Sequence, residues 1–476
     1  MSLHDLLKGA KVVAIICNQW GDTGKGKFSD YFASHWADIT ARGTGGNNAG
    51  HTVVVNGKET IFHLLPAGII HDDKGKITIL GNGMVIDIKV LCEELKELEK
   101  EGKTYNNLMI SKDAQVIMPY HIDQDKRKNQ SQKKGGIGST GRGIGPCYAD
   151  KVARRGVTIA DLFDEEVFVK KVEKAAQFYT TQNINAQEIL KEFQPYIDKI
   201  KPFVKDTVTK MHQFRKEGKK ILIEGAQGLL LSIEHGTYPY VTSSDCSLNG
   251  TANGVGLPAS AVDLPLGIIK FPFMTRVGAG PFPTELGENA SETYCAEESH
   301  IKENELKAYG IPHTLENNKL KYNNKDQKII EMMNSSDEFT QGVGIRLAAG
   351  EYGATTARPR RVGWTDGVAA KYAVGINGPL MILTKVDSIA GKKEFSICYG
   401  YNNSKTSTEF KRDEKYLRTL KPDYKTYKGY GDLTEIKNYE DLPESLKESI
   451  SDFEEFTGGK IIAVSVGPER EQTIIK

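Results

Sequence analysis

The sequence predicts an α/β protein built on a mostly parallel sheet. Three observations point there. Short apolar runs of strand length recur along the 476 residues, each ending at a Gly-rich or polar turn. Segments with helical spacing lie between the runs. The first run passes through a Gly-rich loop into a helix, the strand–loop–helix context of a phosphate site.

In chain order, Val12–Cys17 is continuously apolar, as a strand covered on both faces should be. The loop NQWGDTGKGKFSD follows, then helical spacing from Lys27 to about His35. Ile77–Leu80 is a second strand, ending at GNG. In VLCEELKELEKEG, Leu91, Leu95 and Leu98 make one apolar helical face. Ile221–Ile223 precedes EGAQG, Leu380–Leu383 precedes TKVD, and Ile461–Val464 precedes SVGP. In such a sheet ligands bind outside the carboxyl ends of the strands, where these turns fall. Two regions differ. Residues 287–350 are polar and rich in Asn, Lys and Glu, and are expected to form a partly helical surface insertion. Residues 400–445, rich in Lys, Tyr and Asp, are expected to lie in a peripheral lobe spanning 391–460. There is no internal repeat and no sharp linker.

Composition excludes several classes. Hydrophobic residues make up 39% and charged residues 26%, an ordinary globular balance. The net charge of +1 gives the whole chain no bias toward nucleic acid or a membrane surface. No apolar stretch approaches the ~18 residues of a spanning helix. The first apolar run leads straight into the Gly loop and reads as a strand, not a signal peptide. Cys17, Cys92, Cys147, Cys246, Cys295 and Cys398 form no C-x-x-C pair, which argues against zinc knuckles or a disulfide framework and suits a reducing compartment. A cytoplasmic location is the expectation.

From Gly21 the first loop fits G-x-x-x-x-G-K, but Phe28 stands where a Ser or Thr would hold magnesium, and Asp22 places a carboxylate among the expected phosphates. Gly21, Gly24 and Gly26 let backbone N–H groups approach phosphate oxygens, and Lys25 and Lys27 add charge. A second loop, Gly43–Thr52, holds four glycines and two asparagines before His51; an acid or electrostatic role suits that histidine, beside the plain structural one. A third, Gly135–Gly145, lies among Lys126, Arg127, Lys128, Lys133, Lys134, Arg142, Lys151, Arg154 and Arg155. Ser139 and Thr140 there suit a second phosphate. Without interleaved aromatic residues the stretch is a weak RNA candidate. Thr384–Asp387 follows an apolar run as a Lys-x-Asp turn. Asp387 would accept from guanine N1–H and the exocyclic amine, and the Lys385 stem would cover the ring. Finally, Gly353–Arg361 gathers Arg358, Arg360 and Arg361 after Thr355 and Thr356, a pattern suited to a small dicarboxylate or phosphate partner, beside the plain reading of a basic surface loop. A GTP site, a second phosphate site and a carboxylate site, with Asp22 and His51 between the phosphates, add up to activating phosphoryl transfer followed by displacement.

The stretches QWGD-x-GKGK, GGNNAGHT, GSTGRGIGPCYADKVARRG, EGAQG with HGTYPYVTSS, TRVGAGPFPTEL, ATTARPRR-x-GW, TKVD and SVGPER resemble, in order, those of the adenylosuccinate synthetase (IMP–aspartate ligase) family. They cover roughly half the chain from end to end. The resemblance implies one large α/β domain over 1–476, a homodimer, and no nucleic-acid or membrane partner. It implies that Asp22 takes the proton from N1 of IMP so that O6 attacks the γ-phosphate of GTP. Aspartate then displaces phosphate from the 6-phosphoryl intermediate. Mg2+ is implied on Asp22 and the carbonyl of Gly50, so position 28 needs no hydroxyl. His51 stabilises charge and acts as acid, Lys25 bridges the phosphates, and Gln227 completes the catalytic set. IMP falls to Asp22, Asn48, Thr140, Gln227, Thr242 and Arg358, with Arg154 supplied across the dimer. Aspartate falls to Val277, Thr355, Thr356 and Arg358. GTP falls to Gly21, Gly24, Gly26, Lys27, Gly50, Thr52, Arg360, Lys385, Asp387, Ser465 and Gly467.

The chain departs from the pattern at Thr23 (usually Glu), Thr44 (usually Gln), Asp245-Cys246-Ser247-Leu248 (usually Asn and small residues) and Ala357 (usually Gly), and in the length of 287–350. Two other readings therefore stand beside the first: a relative that joins aspartate to a guanine nucleotide such as dGMP, and a GTP-binding or RNA-binding protein without catalysis.

Overall fold

The computed structural model describes residues 6–48, 50–55, 58–131, 140–179, 183–316, 319–353, 357–403 and 405–476. Ten strands form its central sheet. In chain order they are β1 (Val12–Cys17), β2 (Ile39–Arg42), β3 (Ile77–Leu80), β4 (Leu108–Ser111), β5 (Val204–Lys205), β6 (Ile221–Glu224), β7 (Leu264–Lys270), β8 (Leu380–Thr384), β9 (Lys460–Ser465) and β10 (Thr473–Ile475). Their spatial order is β10-β9-β8-β7-β1-β6-β2-β3-β4-β5. Every neighbouring pair is parallel except β9–β10. The sheet is the α/β architecture the apolar runs predict.

Its centre explains the continuous apolar strand sequences. Val13, Ala14 and Ile15 of β1 are 0% exposed. Val13 and Ile15 face Phe28, Phe32 and Trp36 on one side of the sheet, while Val12, Ala14 and Ile16 face Met211, Phe214 and Val255 on the other. A strand sandwiched in this way has no solvent face, so alternation disappears. Each such side chain contributes roughly 1.5–3 kcal/mol by leaving water. The helix after the first loop, α1 (Lys25–His35), begins at Gly24 with φ 77°, a left-handed turn that glycine adopts without strain. The helix foreseen around Leu91 spans Ile88–Lys100, with Leu91, Leu95 and Leu98 buried and Asp87 capping its first amides.

A second sheet pairs Phe273–Arg276 with Arg361–Asp366, and then Glu394–Asn403 with Lys405–Ser407 and Lys421–Lys428. Half of the 391–460 segment builds this sheet and the helix Glu444–Thr457. The 287–350 segment forms helices α2 (Glu288–Ala296), α3 (Lys302–Ala308), α4 (Gln327–Met333) and α5 (Glu338–Ala349) and the hairpin His313–Glu316/Lys319–Tyr322. It is helical as expected, but its role is not confined to the surface. Leu306, Ile311, Ile329, Met333 and Val343 lie in the largest core cluster, at 0–2% exposure. Ile345, Leu347, Ala348 and Ala349 join them there, and the polar average composition hid these anchors.

Candidate functional site

The parallel strands deliver their carboxyl-end loops to one edge. The β1 loop carries Asp22, the loop after β2 carries Asn48, the β6 loop carries Gln227, the β8 loop carries Lys385 and Asp387, and the β9 loop carries Ser465 and Gly467. Sheet topology thus assembles side chains that are hundreds of residues apart.

Backbone strain concentrates at the same edge. Among the described residues, six non-glycine residues have positive φ: Asp22 (53°), Arg154 (58°), Gln227 (55°), Glu288 (42°), Ala357 (53°) and Lys385 (62°). All but Glu288 are residues already singled out, and Ala357 adjoins Arg358. Left-handed backbone costs a residue with a Cβ about 1–2 kcal/mol, and such strain collects where function needs a side chain aimed. Ala357, where glycine is usual, carries this strain in the candidate aspartate loop.

Asp22 is the centre of the charge distribution. Its side chain is 38% exposed, and Oδ2 pairs with Nη2 of Arg360. Burial alone would raise its carboxyl, but Arg360, Lys270, Lys25 and Lys385 outweigh that and hold it at about 2. Lys25 donates to the Gln227 carbonyl at 2.7 Å, and the Gln227 amide reaches the Asn48 carbonyl at 3.4 Å. Asn48 in turn reaches Thr242 at 3.5 Å. Val277 donates its amide to the Trp20 carbonyl at 3.3 Å and flanks Gly21, where a Cβ would meet it at 3.5 Å. Arg142, from the third Gly-rich loop, donates to the Asn47 carbonyl and ties that loop to the second. These contacts bring together Asp22, Lys25, Gln227, Asn48, Thr242, Gly21 and Val277.

The guanine candidates form a second group. Thr384 donates to the Thr23 carbonyl at 2.8 Å, joining the Lys-x-Asp turn to the phosphate loop. Lys385 donates to the Ala349 carbonyl at 2.9 Å, and burial raises the Asp387 carboxyl against Lys385 and Lys27. Lys27 donates to Ser465 Oγ (2.7 Å) and to the carbonyls of Gly467 (2.8 Å) and Gln472 (2.9 Å). It ties the β9 loop to α1.

Burial lowers Lys27 to about 7 against the pull of Asp387, Glu469 and Glu471. A lysine whose folded pKa lies below its unfolded value costs stability at neutral pH, and that cost is shed as pH rises from about 7 toward 10.5. A phosphate beside it favours the charged form. Nucleotide binding above pH 7 is therefore expected to take up a proton, with affinity falling by up to ~tenfold per pH unit. Calorimetry at pH 8 in two buffers of different ionisation enthalpy measures this; zero uptake would remove Lys27 from the phosphate site.

Other candidates stand apart. Arg358 pairs with Glu298 of the 287–350 segment at 2.7 Å. Arg154 is exposed just beyond the helix Ile144–Val152, and Thr140 is exposed. Gly50 is exposed, and Gly24 and Gly26 flank the start of α1. The side chains of His51 and Thr52 lie outside the described set, as do Ser139, Thr355 and Thr356. Asp245 serves its own turn. It accepts from Ser232 Oγ and from Ser247 N and Oγ, each at 2.9 Å, ahead of the short helix that starts at Leu248. Thr23 is fully buried.

Sequence reasoning missed Lys270 and Glu351. Lys270 is 1% exposed at the end of β7, 2.5 Å from Glu351 Oε2 and 2.8 Å from Thr275. Arg360 lies 3.8 Å from the same Glu351 oxygen. A lysine closing an apolar strand, LPLGIIK, was the available signal.

Among the described residues no cluster of three or more His, Cys, Asp or Glu could hold a metal alone. A Mg2+ ion brought by nucleotide needs only one or two hard oxygen donors from protein, the rest coming from phosphate and water. The Asp22 carboxylate and the Gly50 carbonyl fit that donor set. Four cations around one carboxylate, on an edge lined with Gly-rich loops, suit the neutralisation of phosphate charge.

A family model described as adenylosuccinate synthetase matches residues 14–474. An adenylosuccinate synthetase of Heliobacterium modesticaldum is 39% identical over 473 residues, covering 97% of this chain and 98% of its own. The structure of fully ligated adenylosuccinate synthetase from Plasmodium falciparum superposes with a TM-score of 0.81 at 32% identity, covering 98% of this chain and 100% of that one. The cyanophage S-2L succinoaminodeoxyadenylate synthetase, bound to dGMP and dATP, superposes at 0.54 with 17% identity over 97% and 94% of the two chains; that likeness concerns the fold alone.

Proposed function

The chain belongs to the adenylosuccinate synthetase family, and from that premise we propose that it joins aspartate to IMP at the cost of GTP, with Asp22 as the base. The observation that carries the residue-level reading is a carboxylate inside a phosphate loop, ringed by Arg360, Lys270, Lys25 and Lys385.

O6 of IMP is a poor nucleophile until N1 loses its proton. Asp22 accepts that proton, and O6 attacks the γ-phosphorus of GTP, releasing GDP. Lys25, held by the Gln227 carbonyl, and His51 neutralise charge on the transferring group. The aspartate amine then attacks C6, phosphate leaves, and the amine sheds its proton. Magnesium, held by Asp22, Gly50 and the phosphates, would supply further charge neutralisation. A carboxylate held near 2 by Arg360 is a weak base. Arg360 is also assigned to GTP. Its turn toward the γ-phosphate would release Asp22, so basicity would rise only with nucleotide in place.

Asn48, Thr140, Gln227 and Thr242 are assigned to IMP, and Val277, Thr355, Thr356 and Arg358 to aspartate. Gly21, Gly24, Gly26, Lys27, Gly50, Thr52, Ser465 and Gly467 take the GTP phosphates and sugar, and Lys385 and Asp387 take guanine. The protein acts as a homodimer in which Arg154 reaches the partner's IMP site. Supporting this, Arg154 is exposed in strained backbone beside Val152, which is 80% exposed. Among the described residues no helix is long and apolar enough to cross a membrane. A cytoplasmic site of action fits six free cysteines.

The test is a mass-resolved product assay with GTP, magnesium and aspartate, offering IMP, GMP and dGMP separately. IMP is expected to give the aspartate adduct with GDP and phosphate. A product only with a guanine nucleotide would move the substrate to that class and make Thr23 and Thr44 its first suspects.

A further inference from the structure

Among the contacts of the 287–350 segment with the site is one through a buried carboxylate. Glu305, on α3, is 1% exposed. One oxygen accepts from Nη1 of Arg346 on α5, and the other accepts from the Tyr352 hydroxyl. Both partners end on the arginine loop. Arg346 Nε donates to the Arg360 carbonyl at 2.7 Å. The Tyr352 carbonyl accepts from Nε and Nη2 of Arg360 at 3.3 and 3.1 Å. Arg360 Nη2 then pairs with Asp22.

The loop between these points is closed like a purse. Tyr352 and Pro359 pair as an antiparallel bridge, and the Arg360 amide donates to the Glu351 carbonyl at 3.0 Å. Inside that mouth the Gly353 amide donates to the Arg358 carbonyl at 2.8 Å. The same helix supports the far side: the Lys302 amide donates to the Ala357 carbonyl at 2.9 Å, and its ammonium lies 5.7 Å from the Tyr352 ring centre. The segment therefore touches the loop at both ends of its mouth and once inside it.

We propose that Glu305 is a positioning residue for the ligation: it fixes the mouth of the 353–360 loop through Arg346 and Tyr352, and so sets Arg358 for aspartate and Arg360 for Asp22. The inference rests on the assignment of this loop to aspartate. A buried ion pair is a poor source of stability, because desolvation offsets the attraction, and its use is to fix geometry. Here part of the fixed geometry is that of α2, where Tyr294 hydrogen-bonds Glu305 and Cys295 Sγ accepts from Arg346 Nη2 at 3.4 Å, and the rest belongs to the loop. Glu305, at 1% exposure, is closed off from any bound substrate.

Steady-state kinetics of the purified protein test it, with aspartate and IMP varied in turn. Glu305→Gln leaves one acceptor oxygen for the donors Arg346, Tyr352 and Tyr294, and is expected to raise the KM for aspartate at least ~fivefold and lower kcat, with the KM for IMP within about twofold. Tyr352→Phe removes one arm and is expected to do the same more weakly. Glu305→Gln combined with Arg346→Met removes the pair without leaving a buried charge unmatched, so the melting temperature should recover while the aspartate KM stays high. If Glu305→Gln fails to fold, this double variant carries the test. Arg358→Leu reports on the loop itself and is expected to raise the aspartate KM ~tenfold or more. A normal aspartate KM in the Glu305 variants beside a raised one in Arg358→Leu would overturn the role of Glu305 alone. A normal KM in Arg358→Leu would remove the loop assignment, and the inference with it.

Discussion

Replacement of Asp22 by Asn is expected to lower kcat by ~10²–10⁴-fold while GTP still binds. Asn has the same shape but cannot accept the N1 proton. The magnitude is that of a general base lost from a phosphoryl-transfer site whose positioning groups survive. A charge effect accompanies it. Arg360, Lys270, Lys25 and Lys385 all lower the Asp22 carboxyl, so the variant removes an anion that all four favour and leaves Arg360 without its carboxylate partner at that point. Stability should fall at neutral pH. The sign follows from linkage: a carboxyl at about 2 in the fold and near 3.8 otherwise contributes stability above pH ~4, lost as pH falls toward 2. The parent protein and the Asp22→Asn variant should therefore converge in melting temperature in acid. Rapid-quench measurement of GDP release checks the catalytic half. Turnover within tenfold of the parent would sink the base assignment and place the proton acceptor elsewhere.

The sheet and its ligand edge were legible because both depend on local signals. Buried parallel strands read as unbroken apolar runs, and the turns after them declare themselves through glycine. Val12–Cys17 and Leu380–Leu383 needed no tertiary information. Lys270, Glu351 and Glu305 were not legible. Lys270 meets Glu351 across 81 residues of sequence and Glu305 meets Tyr352 across 47, and no local pattern marks such a pair. The polar composition of 287–350 also misled, because a few core anchors decide whether a segment packs inward. Asp245, one of the departures from the family pattern, accepts from Ser232 and Ser247, contacts that no local pattern announced. Strain was the tertiary signal that agreed best with the motifs: positive φ at Asp22, Gln227 and Lys385 aims three side chains that the sequence had already singled out.

Asp387 carries the second large effect. A carboxylate offers two acceptors to guanine N1–H and the exocyclic amine, and adenine presents no such pair of donors. Burial raises the Asp387 carboxyl, and Lys385 and Lys27 counter this. A charged acceptor in a partly dry site makes hydrogen bonds worth about 1.5–3 kcal/mol each. Asp387→Asn turns one acceptor into a donor, which opposes the guanine amine and suits a carbonyl at C2. The KM for GTP is expected to rise by ~10²–10³-fold, with XTP becoming the better phosphoryl donor. The phosphate loop is untouched, so kcat at saturating XTP should stay within about tenfold of the parent value with GTP. Competition between GTP and XTP in one reaction reads the switch directly. An unchanged preference for GTP would place guanine recognition elsewhere on the edge. Lys385 would then keep only its contact to the Ala349 carbonyl, a brace between the β8 turn and α5.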